Sequence, residues 1–115
     1  MSHTVNRTTS VQATLPETYY TLVSGGSQGS VILQCSATPT GTVASAGMLR
    51  LWIYDGANRF LWKELDIPSH TASTTNYQPT RAVVGDGVSL STAQSLQVSI
   101  NVAATVDIIT TVYDA

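Results

Sequence analysis

Apolar and polar residues alternate with a period of two through most of the chain after residue 18. Between residues 95 and 102 every second side chain is apolar and is predicted to face a core, whereas the side chains between them are polar. This alternation is typical of a half-buried β-strand. No segment shows a convincing helical period, and residues 91–95 would form one helical turn at most. Further runs are predicted as strands at 19–24, 30–38, 48–54, 59–67, 81–84, 88–90 and 105–113.

Turn signals separate these predicted strands. The sequence Asp55-Gly56-Ala57-Asn58 predicts a tight hairpin between strands 48–54 and 59–67. The glycine-rich residues 25–29 predict a second hairpin turn. Seven or eight short strands separated by turns predict an all-β fold, a single antiparallel β-sandwich or jelly roll.

The N-terminal part of the chain differs from the rest. Residues 1–18 are polar and lack sustained periodicity, and the Leu15-Pro16 step favours an extended backbone. The sequence therefore predicts an extended N-terminal arm over residues 1–18 and a β-sandwich domain over residues 19–115. Because such an arm is normally disordered unless something holds it, we expect it to contact a neighbouring subunit.

The predicted hairpin around Asp55 is the densest apolar stretch. Pairing across its turn places Leu51 opposite Trp62 and Ile53 opposite Phe60, while Trp52 lies on the other face, which is also apolar. One face can belong to the core, and the other needs a cover. Three structures could cover this second face: the chain's own loops or arm, a neighbouring subunit at an interface, or a sugar stacked on a tryptophan.

Charge is scarce in this chain. Only 10% of its 115 residues are charged, whereas thirty are Ser or Thr, and an ordinary domain carries about a quarter charged residues. A hydroxyl-rich surface with few charges is cheap to desolvate, which favours burial against another protein. With five Lys and Arg and a net charge of -2, the chain lacks the basic patch that nucleic acid or an anionic membrane requires.

No residues form a recognisable reactive constellation. The single Cys35 excludes an intramolecular disulfide, and we predict a buried, inert thiol that shares one strand face with Val31, Leu33 and Ala37. The histidines lie in polar loops without other ligands at metal-binding spacing. The N-terminus lacks the apolar segment of a signal peptide. The sequence thus predicts a non-enzymatic protein without metal or cofactor, made in a reducing cytoplasm.

Three runs carry a resemblance to a known family: YYTLVSGGSQGSVILQCSAT, LRLWIYDGANRFLWKELDIP and SLQVSINVAATVDIITTVYDA. They resemble small virion proteins of tailed bacteriophages. Such proteins have an opening similar to YTLVSGGSNGS, a WDG hairpin that ends in IP, and an alternating C-terminal hairpin. Here the turn reads Tyr54-Asp55-Gly56 and the segment ends Ile67-Pro68, and the Gly-rich ending of some members is missing. The resemblance covers about Tyr19 to Tyr113.

The resemblance implies a β-sandwich component of a virion. We expect a capsid decoration, or cement, protein on the outer capsid surface, made in the host cytoplasm, whose partners are the major capsid protein or other virion proteins. Homo-oligomers, trimers among them, are common in such proteins. The alternatives are a head-fibre, collar or tail protein, or a carbohydrate-binding adhesin module. The expected contact residues are Val5, Arg7, Val11 and Leu15 in the arm, with Trp52 and Tyr54 on the hairpin.

Overall fold

The computed structural model describes residues 5–71 and 80–115. Its regular elements are all β-strands, which confirms the predicted all-β fold. Eight of the described strands were predicted, with ends that differ by two residues or fewer, and the strand at Val5–Ala13 was not. In chain order the strands are β1 (Val5–Ala13), β2 (Tyr20–Ser24), β3 (Ser30–Thr40), β4 (Gly47–Tyr54), β5 (Arg59–Ile67), β6 (Arg81–Val84), β7 (Ser89–Leu90), β8 (Ser95–Ile100) and β9 (Thr105–Asp114).

The strands form two antiparallel sheets that pack as a sandwich. Sheet A has the order β1-β9-β3-β6, with β7 also paired to β3, and sheet B has the order β2-β8-β4-β5. The chain thus folds back on itself as one long hairpin: β4 pairs with β5 at the tip, followed by β3 with β6, β2 with β8, and β1 with β9. This is the strand order of a jelly roll.

The core lies between the sheets and consists of the inward-facing residues of both. Burying one such side chain stabilises the fold by roughly 1.5–3 kcal/mol. Cys35 is also in this core, as predicted, and the Thr110 hydroxyl donates a weak hydrogen bond to its Sγ at 3.7 Å. The largest fully buried side chains include Ile32, Leu49, Leu51, Ile67, Leu90, Leu96, Ile100 and Ile108.

The N-terminal segment contributes a strand to sheet A, which differs from the predicted separate arm. It is extended, but β1 pairs with β9 along its whole length, from Val5 opposite Asp114 to Ala13 opposite Val106. The alternation is weak in this segment because its inward positions include Arg7 and Thr9 as well as apolar residues. In the structure β9 of the same chain holds the segment, which needs no neighbouring subunit to order it.

The two faces of β3 are predicted correctly from Gln34 onward and wrongly before it. A β-bulge between Ile32 and Gln34 inserts one residue into the pairing with β9. A one-residue shift exchanges the two faces of a strand. Consequently Ile32 is buried, whereas Val31 and Leu33 are exposed on the outside of sheet A.

The hairpin of β4 and β5 is confirmed, and its register is partly as predicted. Ile53 pairs with Phe60, but a second bulge places Leu51 opposite Lys63, so that Trp62 is the extra residue. The hairpin turn predicted at residues 25–29 is wrong, because this segment links β2 in sheet B to β3 in sheet A. No helix within residues 5–71 and 80–115 is long and apolar enough to cross a membrane.

Candidate protein-binding surfaces

The outer face of sheet B carries an aromatic cluster built around one arginine. We call Tyr19, Trp52, Tyr54, Arg59 and Gln97 the Arg59 cluster. The guanidinium carbon of Arg59 lies 3.8 Å from the ring centroid of Tyr19 and 4.4 Å from that of Tyr54. The rings of Tyr19 and Trp52 meet at an interplanar angle of 74°, with centroids 6.0 Å apart. Both arrangements are favourable, because a cation prefers a ring face and two rings prefer an edge-to-face contact.

Hydrogen bonds fix this cluster to the sheet beneath it. Arg59 Nε donates to Gln97 Oε1 at 2.8 Å, and Gln97 Nε2 donates to the Thr21 hydroxyl at 3.2 Å. Trp52 Nε1 donates to Ser99 Oγ at 2.9 Å. Gln97 and Ser99 face outward from β8, as the alternation predicts, yet both are buried because the aromatic rings cover them. The chain therefore covers much of this second apolar face of the hairpin itself.

Both tryptophans are half-buried. Trp62 packs against the core, and Lys63 Nζ lies 5.7 Å from its ring centroid. Sugar recognition by stacking uses an open aromatic face, and neither indole is among the most exposed apolar side chains. At this end of the hairpin the exposed ones are Phe60 and Leu61, at 57% and 49% exposure. The sequence did not single these two out, because strand alternation alone does not show where the opposing sheet ends.

On the outer face of sheet A, the outward-pointing side chains of neighbouring strands form four rows across the sheet. The rows are Asn6–Tyr113–Val31, Thr8–Thr111–Gln34–Val84, Ser10–Ile109–Ser36–Ala82 and Gln12–Asp107–Thr38. We call the residues of these rows the sheet A outer face. Within these rows Asp107 is the one charged side chain, and Gln12 Nε2 donates to its Oδ1 at 2.8 Å. The remaining positions carry hydroxyls, amides and apolar groups.

This face exposes more apolar surface than a solvated sheet face usually does. The outer side of an antiparallel sheet is commonly polar. Here Ile109 is 49% exposed and Val84 62% exposed, and Tyr113 lies directly opposite Val31. A shallow depression of about 430 Å³ runs over β1 and β9, between residues 10–12 and 107–109. The surface is therefore broad, nearly uncharged and open.

The residues expected to contact a partner from the N-terminal segment do not share one surface. Arg7 and Val11 face the inside of the sandwich, where Val11 packs against the core. Leu15 lies in the loop between β1 and β2 and is 60% exposed. Val5 begins β1, and its side chain lies outside the described part of the structure. The hairpin residues Trp52 and Tyr54 are brought together, in the Arg59 cluster.

Arg7 belongs to a polar network that ties three segments together. Its Nη2 donates to the Ser24 carbonyl at 2.7 Å and to Asp114 Oδ1 at 3.1 Å, and its Nε lies 3.0 Å from Asp114 Oδ2. The Ser30 hydroxyl also donates to Asp114, and the backbone N–H of Gly26 donates to Ser30 Oγ at 2.8 Å. The Ser30 hydrogen bond, with the Arg7 hydrogen bond and charge adding to it, lowers the pKa of Asp114.

Two further polar sites stabilise loops. At the hairpin tip Asp55 accepts hydrogen bonds from the backbone N–H groups of Asn58 and Ala57, and these lower its pKa. The Tyr20 hydroxyl accepts from the backbone N–H groups of Thr14 and Leu15, and hydrogen bonding in this loop lowers its pKa. Each arrangement stabilises the backbone of a loop.

Metal-binding groups do not converge in the described ranges. Residues 5–71 and 80–115 contain no group of three His, Cys, Asp or Glu side chains placed to hold a metal ion. His70 forms a backbone bridge with Val43, and His3 lies outside the described residues.

No family model matches the chain, and no curated protein matches its sequence. Because one fold serves many functions, the sandwich by itself assigns none. The function must therefore be argued from the two outer faces.

Proposed function

We propose that this chain is a non-enzymatic structural protein of a bacteriophage virion, a decoration protein that binds the outer capsid lattice through its sheet A outer face. The observation that carries the proposal is the nearly uncharged, partly apolar grid on that face. The geometry supports docking onto another protein. The resemblance of the sequence to small virion proteins supports the capsid as that protein.

The composition of this face suits burial in a protein interface. The centre of an interface is depleted of charged residues and enriched in aromatic and apolar ones. Exposed Ile109, Tyr113 and Val31 supply apolar area, at about 25 cal/mol for each Å² removed from water. The surrounding hydroxyls and amides of Thr8, Ser10 and others can exchange water for capsid groups at far lower cost than charges can.

The mechanism would be physical rather than chemical. A rigid sandwich binds at each repeat of the lattice, and bridging two capsid subunits gives the second contact a high effective concentration. A protein that binds only the assembled shell stabilises that shell by mass action. A modest affinity at each site can therefore raise the heat resistance of a whole capsid.

Counting and locating copies on purified virions tests this proposal. We expect quantitative mass spectrometry to give a copy number comparable to that of the major capsid protein. Cryo-electron microscopy should then place the sandwich on the outer shell, with sheet A facing it. Extraction of the chain should lower the temperature at which the capsids release their genome, and adding it back should restore that temperature.

Three outcomes would overturn the decoration role. Absence from purified virions removes the virion proposal altogether. A small fixed copy number at one vertex or on the tail assigns the chain to a head fibre, collar or tail instead. Binding on a glycan array that depends on Trp52, by a chain that purified capsids do not retain, assigns it to carbohydrate recognition.

A further inference from the structure

Among the described residues the two sheets have five edge strands, and four of them are blunted. β5 carries Arg59, Lys63 and other charged residues, and it is interrupted by a bulge. β6 has only four residues and β7 only two, and β2 has five with a bulge in its pairing. Short length, charge and bulges are the devices that keep sheet edges from pairing with other chains.

The fifth edge strand, β1, has none of these devices. It is nine residues long and pairs with β9 without a bulge. Its sequence VNRTTSVQA contains no proline and one charged residue, Arg7, whose guanidinium is turned inward to Asp114. Thr9 Oγ1 likewise reaches inward and donates to the Leu22 carbonyl at 2.7 Å. The side chains of Arg7 and Thr9 are thus both held on the inner side of the strand.

The outward edge of β1 presents backbone groups that no other described strand pairs with. In an antiparallel pair every second residue directs its N–H and C=O away from the neighbouring strand. Within residues 5–71 and 80–115, no backbone hydrogen bond joins the β1 backbone to any segment besides β9. A strand added at this edge would satisfy these groups by sheet extension.

We propose that β1 pairs antiparallel with β1 of a second copy of this chain, about a two-fold axis near Thr9. The strand is self-complementary in this register. Arg7 of each copy then lies opposite Val11 of the other, and Thr8 lies opposite Ser10, so no like charges meet. A two-fold contact uses one patch twice, which is the commonest form of homo-oligomer interface.

The pairing would join two sheet A layers into one continuous sheet. The two outer faces would then form a single surface of twice the area. This inference concerns the β1 edge and stands independently of the proposed function, which concerns the outer face. A dimer without capsid binding, or capsid binding by a monomer, separates the two.

Sedimentation equilibrium of the full chain tests the dimer. We expect a monomer–dimer equilibrium for the wild type. The variant carrying Thr8→Lys and Ser10→Lys places lysines opposite each other twice across the axis, which should raise the dimer dissociation constant by roughly ten-fold or more. The matched control carries Gln34→Lys and Ser36→Lys on the central strand β3 of the same face, and it should keep the wild-type dissociation constant.

Hydrogen exchange of the wild type provides a readout that does not depend on the variants' folding. In the dimer the amides of residues 6–12 should all be protected, whereas in a monomer alternate amides exchange fast. A wild type that is monomeric or trimeric at all concentrations would overturn the proposal. Alternating protection of the β1 amides in the assembled wild type would also overturn the proposal. So would a raised dissociation constant for the β3 control together with a wild-type dissociation constant for the β1 variant.

Discussion

At the scale of single residues, Asp114 does more for the fold than its position in the last residues of β9 implies. Its carboxylate accepts from Ser30 and Arg7, and Ser30 in turn accepts from the Gly26 N–H. These contacts connect β9, β1 and the segment that crosses between the sheets. Hydrogen bonds to a charged group are roughly twice as strong as neutral ones, so the charge of Asp114 matters to the network.

We predict that Asp114→Asn reduces stability at neutral pH and that this reduction disappears in acid. The pKa of Asp114 is lowered in the folded state, so its contribution is complete above the unfolded value of about 3.9. It is lost as the pH falls through the folded value. The difference in Tm between wild type and variant should therefore shrink below about pH 4.

Thermal unfolding followed by circular dichroism across this pH range measures the effect. Asp107→Asn is the matched control, since Asp107 lies on the same strand but is exposed on the sheet A outer face. A Tm difference for Asp114→Asn that stays constant into acid would show that its charge does not stabilise the network.

We predict that Cys35 does not react with a thiol reagent while the protein is folded. The thiol is 1% exposed, and burial raises its pKa, so both access and the reactive thiolate are lacking. Ser36→Cys is the control, because its side chain lies on the outer side of the same strand and should label one equivalent quickly. Rapid labelling of the folded wild type would place Cys35 at the surface instead.

At the scale of elements, alternation predicted the strands from β2 to β9, but neither β1 nor the bulges. The period of two locates β3 and β9 from sequence, because apolar side chains must face the core at every second position. A bulge depends on what the neighbouring strands do, and that is a tertiary property. In β3 the bulge at Leu33 lies where its partner changes from β6 to β7. The exposed Val31 and Leu33 could therefore not be assigned to the outer face from the sequence.

The candidate surfaces were predictable to different degrees. The scarcity of charge indicated a surface suited to burial, and the hairpin sequence indicated two apolar faces. The place of Tyr19 in the Arg59 cluster was not predictable, because Tyr19 reaches Trp52 only through the pairing of β2, β8 and β4. The sheet A outer face includes residues of β1, which a weakly alternating polar sequence did not reveal as a strand.

We predict that Gly85→Ala destabilises the sandwich by at least about 1–3 kcal/mol, the usual cost of overpacking. A Cβ at this position would lie 1.6 Å from the Ile32 carbonyl oxygen, beside the bulge of β3. Urea unfolding measures the change. Val84→Ala at the neighbouring, 62% exposed position should shift stability by less than about 0.5 kcal/mol. Equal effects of both substitutions would mean that the close approach at Gly85 does not constrain the fold.

At the scale of the whole molecule, the sandwich has two unlike outer faces. The chain covers much of the face of sheet B with its own aromatic and arginine side chains, which are hydrogen-bonded to Gln97 and Ser99 beneath them. The face of sheet A is open and nearly uncharged. A thin molecule of 51 × 30 × 20 Å with one such face is suited to lie flat on a larger surface. We propose that this face is the one that binds the capsid.

The most direct test is to compare two variants that add the same charge to the two faces. Ile109 on sheet A and Leu61 on sheet B are both 49% exposed, so Ile109→Lys and Leu61→Lys should fold equally well. We predict that capsids stripped of the chain bind Leu61→Lys at wild-type occupancy and bind Ile109→Lys at least about ten-fold more weakly, since an unpaired lysine buried at the centre of an interface is costly. Equal occupancy of the two variants, or loss of binding with Leu61→Lys alone, would contradict the claim.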